Sequence, residues 1–402
     1  MSGWARKRVE IEGLRHIKVC GRKDTYCGHP RKGGMFNFGN GEIAVIHDHA
    51  PCSYEWRSDV THSVYHGYIS RAVALLQRSL DGGETWPEEE NVVVFDQTAP
   101  LSARQEFLSG EGKKRKEMDM SKKESIFYFG TTPAGRGEPD VARQPMPVAP
   151  PMVCFALRSS DKGRTWEEAP YVMRPPDLHD YIAFHNSPVA RMPDGSFLAP
   201  AIIRGPGFPS RIALYGSEND GMTWGYVSLV ARDATGFGRI AYPNLLLLPN
   251  GRLLFFGLNV WGKGYFIGMA ESDDGGYSWS ELRPIVAWGQ SPWMARRKRG
   301  VYEGPHTYRS PWPLLLKDGR ILVLFARRNG PYGIGGMVSE DEGGTWSQEF
   351  IIRDDGSCYD LGYEVATQLD DGRIFTAYYF TVEDGNKFGG SRFIGGSFFR
   401  VK

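Results

Sequence analysis

One octapeptide pattern, Ser-x-Asp-x-Gly-x-Thr-Trp with small variations, recurs five times along the 402 residues and limits the chain to a repeat architecture. It runs Ser79–Trp86 (SLDGGETW), Ser159–Trp166 (SSDKGRTW), Ser217–Trp224 (SENDGMTW), Ser272–Trp279 (SDDGGYSW) and Ser339–Trp346 (SEDEGGTW). Each copy follows an apolar run such as RAVALLQR or PMVCFALR. These residue types suit a β-hairpin turn: Asp or Asn caps the turn through its own side chain, Gly supplies a positive φ, and Trp folds back as an apolar plug.

A second repeat interleaves with the first, an Asn-Gly or Asp-Gly pair between apolar runs. It occurs at MFNFGNGEIAVIH, VARMPDGSFLAPAII, LLLLPNGRLLFFGL, LLLKDGRILVLFA and ATQLDDGRIFTAYYF. Such pairs between alternating apolar runs are strong hairpin signals. Two hairpins per period make four strands, the content of one propeller blade. Counting gives six blades, of which the second lacks a clear Asp-Gly turn and the last lacks the octapeptide. The N-terminal RVEIEGLRHIKV is expected to supply the last blade's outermost strand, beside the C-terminal SRFIGGSFFRVK. The expected fold is therefore all-β, a six-bladed β-propeller of four-stranded antiparallel blades, closed by pairing of N- and C-terminal strands so that no free edge remains. It forms a single domain over 1–402 with a partly mobile insertion at about 97–150, whose Lys/Arg run reads as solvated surface.

Composition agrees with that reading and excludes others. Fifty Gly residues and 13% aromatics supply turns and plugs rather than long helices. With 48 Lys and Arg against 47 Asp and Glu, no global field draws the chain onto nucleic acid or an anionic membrane. No apolar stretch is long enough to span a bilayer, and the start MSGWARKRVEIEGLRHIKVCG has no signal-type apolar core, so the expectation is a cytoplasmic chain without membrane or nucleic-acid partner. The five cysteines, Cys20, Cys27, Cys52, Cys154 and Cys358, show no CxxC spacing and read as reduced thiols.

Both sets of turns fall on one face of such a ring, so the long loops and any site fall on the other. The length of one strand before each Asp/Asn-Gly turn stand His29, Pro30 and Arg31, then His185 and Asn186, Tyr242, then His306, Tyr308, Arg309 and Ser310, and Tyr363. The same distance after the turns stand His49, Arg204, Asn259, Arg327 and Arg328. So many His, Tyr and Arg at the ends of otherwise apolar strands point to a site for an anionic ligand. The loop HDHAPCSYEWRSDVTHSVYHGYISR adds Arg57, Asp59, His62 and His66, with Asp59 as a candidate general acid. His47, Asp48, His49 and Cys52 form an incomplete ligand set, so neither a metal nor another cofactor is expected.

The octapeptides resemble the Asp boxes of sialidases, and that resemblance covers nearly the whole chain. It implies that Arg31, ahead of the Asn40-Gly41 turn, begins an arginine triad that clamps a substrate carboxylate, with Arg204, Arg309, Arg327 and Arg328 as nominees for the rest. It further implies Asp59 as acid/base and Tyr363, in LGYEVATQLDDGR, as nucleophile. Departures accompany it: Arg31 is followed by Lys32-Gly33, and the strands that would carry the partner Glu read Tyr242-Pro243 and Ser310-Pro311.

The preferred reading is an exo-acting, sialidase-like hydrolase that removes a terminal acidic sugar from a glycan. A rival is a propeller polysaccharide lyase acting on a uronate linkage, in which His29, His185, Tyr242 and Tyr308 move protons and Arg309 neutralises the carboxylate. A carbohydrate-binding propeller without chemistry is the third class.

Overall fold

The computed structural model describes residues 6–64, 66–110, 115–133, 152–177, 181–183, 189–205, 208–233, 235, 238–260, 266–287, 296–298, 301–303, 308–328 and 330–402. Within them the chain is all-β apart from short 3-10 turns and one helix, Leu101–Ser109. Strands follow one another as antiparallel meanders. The fourth meander is the plainest, with strands Arg239–Leu247, Leu253–Val260, Phe266–Ser272 and Arg283–Ala287 side by side in chain order. The fifth, Tyr308–Leu315, Ile321–Arg327, Tyr332–Ser339 and Phe350–Gly356, repeats that order.

The third meander has its innermost strand in two pieces, Tyr181–Ala183 and Ala190–Arg191, both paired with Phe197–Gly205 and followed by Phe208–Ser217 and Gly225–Ala231. The second shows three strands, Ile126–Pro133, Met152–Ser159 and Tyr171–Met173. The first and sixth merge into one nine-stranded sheet through a parallel bridge between Tyr26 and Arg392. In the sixth, strands Gly362–Gln368, Ile374–Thr381 and Arg392–Val401 are completed by Ile11–Cys20, which pairs antiparallel with Arg392–Val401. The first comprises Thr25–Gly28 and Gly34–Gly39 on Glu42–Pro51, then Val73–Ser79 and Val92–Asp96.

The core lies in the seams between meanders. Every residue of Leu253–Val260 is buried, and period-two alternation divides its side chains between two neighbours. Leu253 and Phe255 pack with Leu198, Ile202 and Leu214 of the third meander; Leu254, Phe256 and Leu258 pack with Ile321, Val323 and Phe325 of the fifth. Equivalent clusters join the first to the second, the second to the third, and the fifth to the sixth and first.

The octapeptide turns seal these seams. In Ser79–Trp86 the Asp81 carboxylate accepts from the Thr85 amide at 2.9 Å and its hydroxyl at 2.6 Å, Ser79 Oγ accepts from the Gly83 amide at 2.8 Å, and Trp86 Nε1 donates to the Gly83 carbonyl at 2.9 Å. Trp86 stacks on Phe375 of the sixth meander, and Trp224 meets Phe127 and Phe129 of the second, so each plug closes on a preceding meander. The turn glycine has no room for a side chain: Gly221, at φ 70°, would place a Cβ 2.3 Å from Phe127 Cε1.

The basic run inside 97–150 departs from expectation. Arg115 is buried rather than solvated, donating to Glu167 at 2.5 Å and to the carbonyls of Gly221 and Met222. The rest of that run is partly exposed, and residues 111–114 and 134–150 lie outside the described set.

Candidate active site

Four residues share one backbone kink, three near the start of an innermost strand and one, His29, capping the 3-10 turn Pro30–Lys32. His29, Tyr242, Ser310 and Tyr363 have φ of 53°, 55°, 55° and 59°, left-handed values that side chains other than glycine adopt at a cost of about 1 kcal/mol or more. Pairing registers shift at the last three, between Ala241 and Asn244, Arg309 and Trp312, and Gly362 and Val365. These are β-bulges, which re-aim a side chain out of the alternating pattern. The kinked residues His29, Tyr242 and Tyr363, from three different meanders, meet in one aromatic cluster. The His29 and Tyr363 rings lie 4.3 Å apart at right angles, and the Tyr242 and Tyr363 rings 5.7 Å apart.

Three polar groupings surround that cluster. In the first, Asp48 Oδ2 accepts from Lys32 Nζ at 2.6 Å and Tyr68 Oη at 3.2 Å, and lies 3.3 Å from His29 Nδ1, which also shares a short hydrogen bond with Tyr68. Burial, reinforced by His62, brings the His29 imidazole down to about 3 and keeps it neutral. Burial opposes ionisation of Asp48, yet Lys32 and His29 hold its carboxyl below the usual range.

In the second, Asp360 Oδ1 lies 3.2 Å from His62 Nε2, while Oδ2 lies 3.4 Å from Tyr26 Oη and 3.6 Å from Arg392 Nη2. Tyr26 and Tyr379 share a hydrogen bond of 2.5 Å. The His62 side chain is 31% exposed, so this grouping opens to solvent.

The third is the pair of hydroxyls on Tyr242 and Tyr363, 3.5 Å apart. Arg328 lies over the Tyr363 ring at 5.3 Å and is anchored by its Nε to the Leu361 carbonyl at 2.9 Å. Burial pushes both phenols up, but Arg309 and Arg328 bring Tyr242 below its ordinary value, whereas Tyr363 stays above it under burial and the neighbouring Tyr242.

The BNR repeat-like domain family matches residues 126–376. The chain belongs to that family. Among solved structures, a protein of unknown function from Dyadobacter fermentans is 20% identical over 98% of this chain and 100% of its own, with a TM-score of 0.70. A Hadza microbial sialidase, Hz136, is 15% identical over 96% of this chain and 68% of its own, with a TM-score of 0.59. Trypanosoma rangeli sialidase in complex with sialic acid is 14% identical over 99% of this chain and 60% of its own, with a TM-score of 0.57. These likenesses establish a shared all-β sialidase-like fold. A search of curated proteins returns no match.

In this BNR repeat-like protein the residues expected from sequence divide sharply. His29, Tyr242, Tyr363 and Arg328 come together, and Arg309 joins them through its charge on Tyr242. Arg31 donates from its guanidinium at 2.6 Å to each of the carbonyls of Tyr242, Pro243 and Pro311, and so ties the kinked strands together. Asp59 sits apart, within its own loop. Its Oδ2 accepts from Ser53 Oγ and the amides of Glu55 and Trp56, and its Oδ1 from Arg71. Against the effect of burial, these bonds hold the carboxyl below its ordinary value, as suits a loop cap.

Tyr308 and Arg327 both turn to Glu349, at 2.9 Å each, away from the tyrosine pair. Arg57 is exposed over Phe388, and Arg204, half-buried opposite Tyr181, has no contact with the cluster among the described residues. His185, Asn186 and His306 lie outside the described residues. Sequence reading missed Tyr26, Tyr68, Tyr379, Asp360, Arg392 and Glu364. Of these, Asp360 stands three residues before Tyr363 and could have been found from that proximity. No helix among the described residues is long and apolar enough to cross a membrane.

Proposed function

We propose that the chain is an exo-acting glycosidase for a terminal acidic sugar, built on six blades that close into one propeller ring. The seam clusters support the ring, since the fifth meander packs on the sixth and both on the first. The observation that carries the reaction is the Tyr242–Tyr363 hydroxyl pair beside Arg309 and Arg328. Two guanidinium groups suit a sugar carboxylate, and a phenol relieved of its proton by their field is a nucleophile for a centre that already bears negative charge. His62, oriented by Asp360 and reached by solvent, passes the proton to the leaving oxygen and takes one back from water.

The lowered Tyr242 phenol also favours a second reading, β-elimination on a uronate, with Tyr242 as base and the arginines neutralising the carboxylate. Incubation with a sialoside and with an acidic polysaccharide separates the two. Free sialic acid supports the hydrolase, and a new ultraviolet-absorbing unsaturated uronate supports the lyase. Retention of either glycan without product points to a binding module. Loss of turnover in both Tyr242→Phe and Tyr363→Phe is expected; a fully active Tyr242→Phe refutes the assignment.

A further inference from the structure

Three soft donor atoms meet at the junction of three strands, outside the tyrosine cluster. Cys20 ends strand Ile11–Cys20, Cys27 lies in Thr25–Gly28, and His49 lies in Glu42–Pro51 as the direct cross-strand partner of Cys27. Cys20 Sγ is 3.3 Å from Cys27 Sγ and 3.7 Å from His49 Nδ1, and Cys27 Sγ is 3.5 Å from the same nitrogen. No other group of three or more His, Cys, Asp or Glu with this convergence occurs among the described residues.

We propose that Cys20, Cys27 and His49 bind a zinc ion as two thiolates and one imidazole. A tetrahedral ion at about 2.3 Å from sulfur and about 2.1 Å from nitrogen holds two sulfurs about 3.8 Å apart and sulfur and nitrogen about 3.5 Å apart. The two sulfur–nitrogen edges fit within about 0.2 Å, and the sulfur–sulfur edge needs to widen by about 0.5 Å, within reach of a small χ1 adjustment. A disulfide instead requires the sulfurs at about 2.05 Å, and the imidazole seated against both sulfurs is a donor that a disulfide has no use for. The set differs from the sequence-level grouping of His47, His49 and Cys52. His47 is engaged at both ring nitrogens, with the Asp48 carbonyl at 2.9 Å and Gln77 Oε1 at 2.8 Å, and Cys52 donates to the Asp59 carbonyl.

Local backbone explains how the donors converge. Gly21, at φ 134°, would carry a Cβ 2.5 Å from Phe393 Cβ, so only glycine lets the chain turn there from the outermost strand toward Thr25–Gly28. Binding releases a proton from each thiol, and the resulting pair of thiolates neutralises the dication in a largely buried place. Cys20 and His49 are half-buried, which leaves the fourth position to water. The ion would thereby pin the N-terminal strand to the first meander, two residues from His29.

The test uses the full chain, purified under reducing conditions, loaded with zinc and passed through a desalting column. One zinc per chain is expected, and cobalt in its place is expected to give thiolate-to-cobalt charge-transfer absorption with the visible bands of a tetrahedral ion. Cys20→Ser/Cys27→Ser is expected to lose both, and Cys52→Ser to keep both. Wild-type zinc no higher than in the double variant, or a cobalt spectrum without the thiolate band, overturns the proposal. The cobalt spectrum of the wild type decides the matter even if the double variant does not fold.

Discussion

Glu364 offers a quantitative check on the centre of the molecule. It is fully buried beside Tyr363, and among the described residues no other residue offers its carboxylate a hydrogen bond. Burial pushes its carboxyl from 4.5 up to about 8, although Arg328 and Arg31 pull the other way. Between those values the unfolded chain has released a proton that the folded chain still holds. The unfolded state then binds fewer protons, so stability falls as pH rises, from full below 4.5 to its lower limit above 8. At about 1.4 kcal/mol per pK unit, and with partial titration at both ends, the loss between pH 5 and pH 8 is about 3 to 4 kcal/mol. Glu364→Gln keeps the shape and removes the titration. Urea unfolding followed by tryptophan fluorescence at pH 5, 6, 7 and 8 should show the variant gaining on the wild type by that amount as pH rises. Groups such as His29 titrate in both proteins and cancel in the difference, and any constant cost of a buried amide shifts the curves without tilting them. Parallel curves across this range would refute the reasoning.

Other substitutions test the structural roles. Arg31→Met strands three buried carbonyls and is expected to cost more than about 3 kcal/mol in urea unfolding. Asp59→Asn should lose about 1 to 2 kcal/mol of stability as the loop cap weakens, while turnover in the folded fraction stays within about tenfold of wild type. Gly195→Ala, with open space around its Cβ, should cost about 1 kcal/mol for its left-handed backbone alone. Gly221→Ala adds the collision with Phe127, and its melting temperature should fall several times as far.

Most of the strand order was legible because two local signals, the octapeptide and the Asn/Asp-Gly pair, each dictate a turn without help from the rest of the chain. Trp86, Gly221 and Asp81 do in the structure what their residue types imply. The site was legible only in part. Counting one strand length back from each turn located His29, Tyr242 and Tyr363, because the same left-handed kink recurs at that distance from each turn. It could not foresee the carbonyls that hold Arg31 or the loop amides that hold Asp59, main-chain partners that no residue pattern announces. Tyr308 and Arg327 each stand at the expected strand end, but both turn to Glu349, just ahead of strand Phe350–Gly356 and more than twenty residues further along the chain. Tyr26 and Tyr379 escaped notice because they stand in fully buried runs, where a tyrosine reads as packing until its hydroxyl partner is known.

The pairing of Ile11–Cys20 with Arg392–Val401 sets a timetable for the chain. The earlier strand has to wait for its partner until everything between residues 21 and 391 has followed it. Local hairpins can close within each meander as they emerge, whereas this pairing has the longest reach of any strand pairing among the described residues and must wait for its second strand. Until then the edge of Ile11–Cys20 stays open to any other strand that passes, which makes the nascent chain, rather than the finished one, the form most exposed to aggregation.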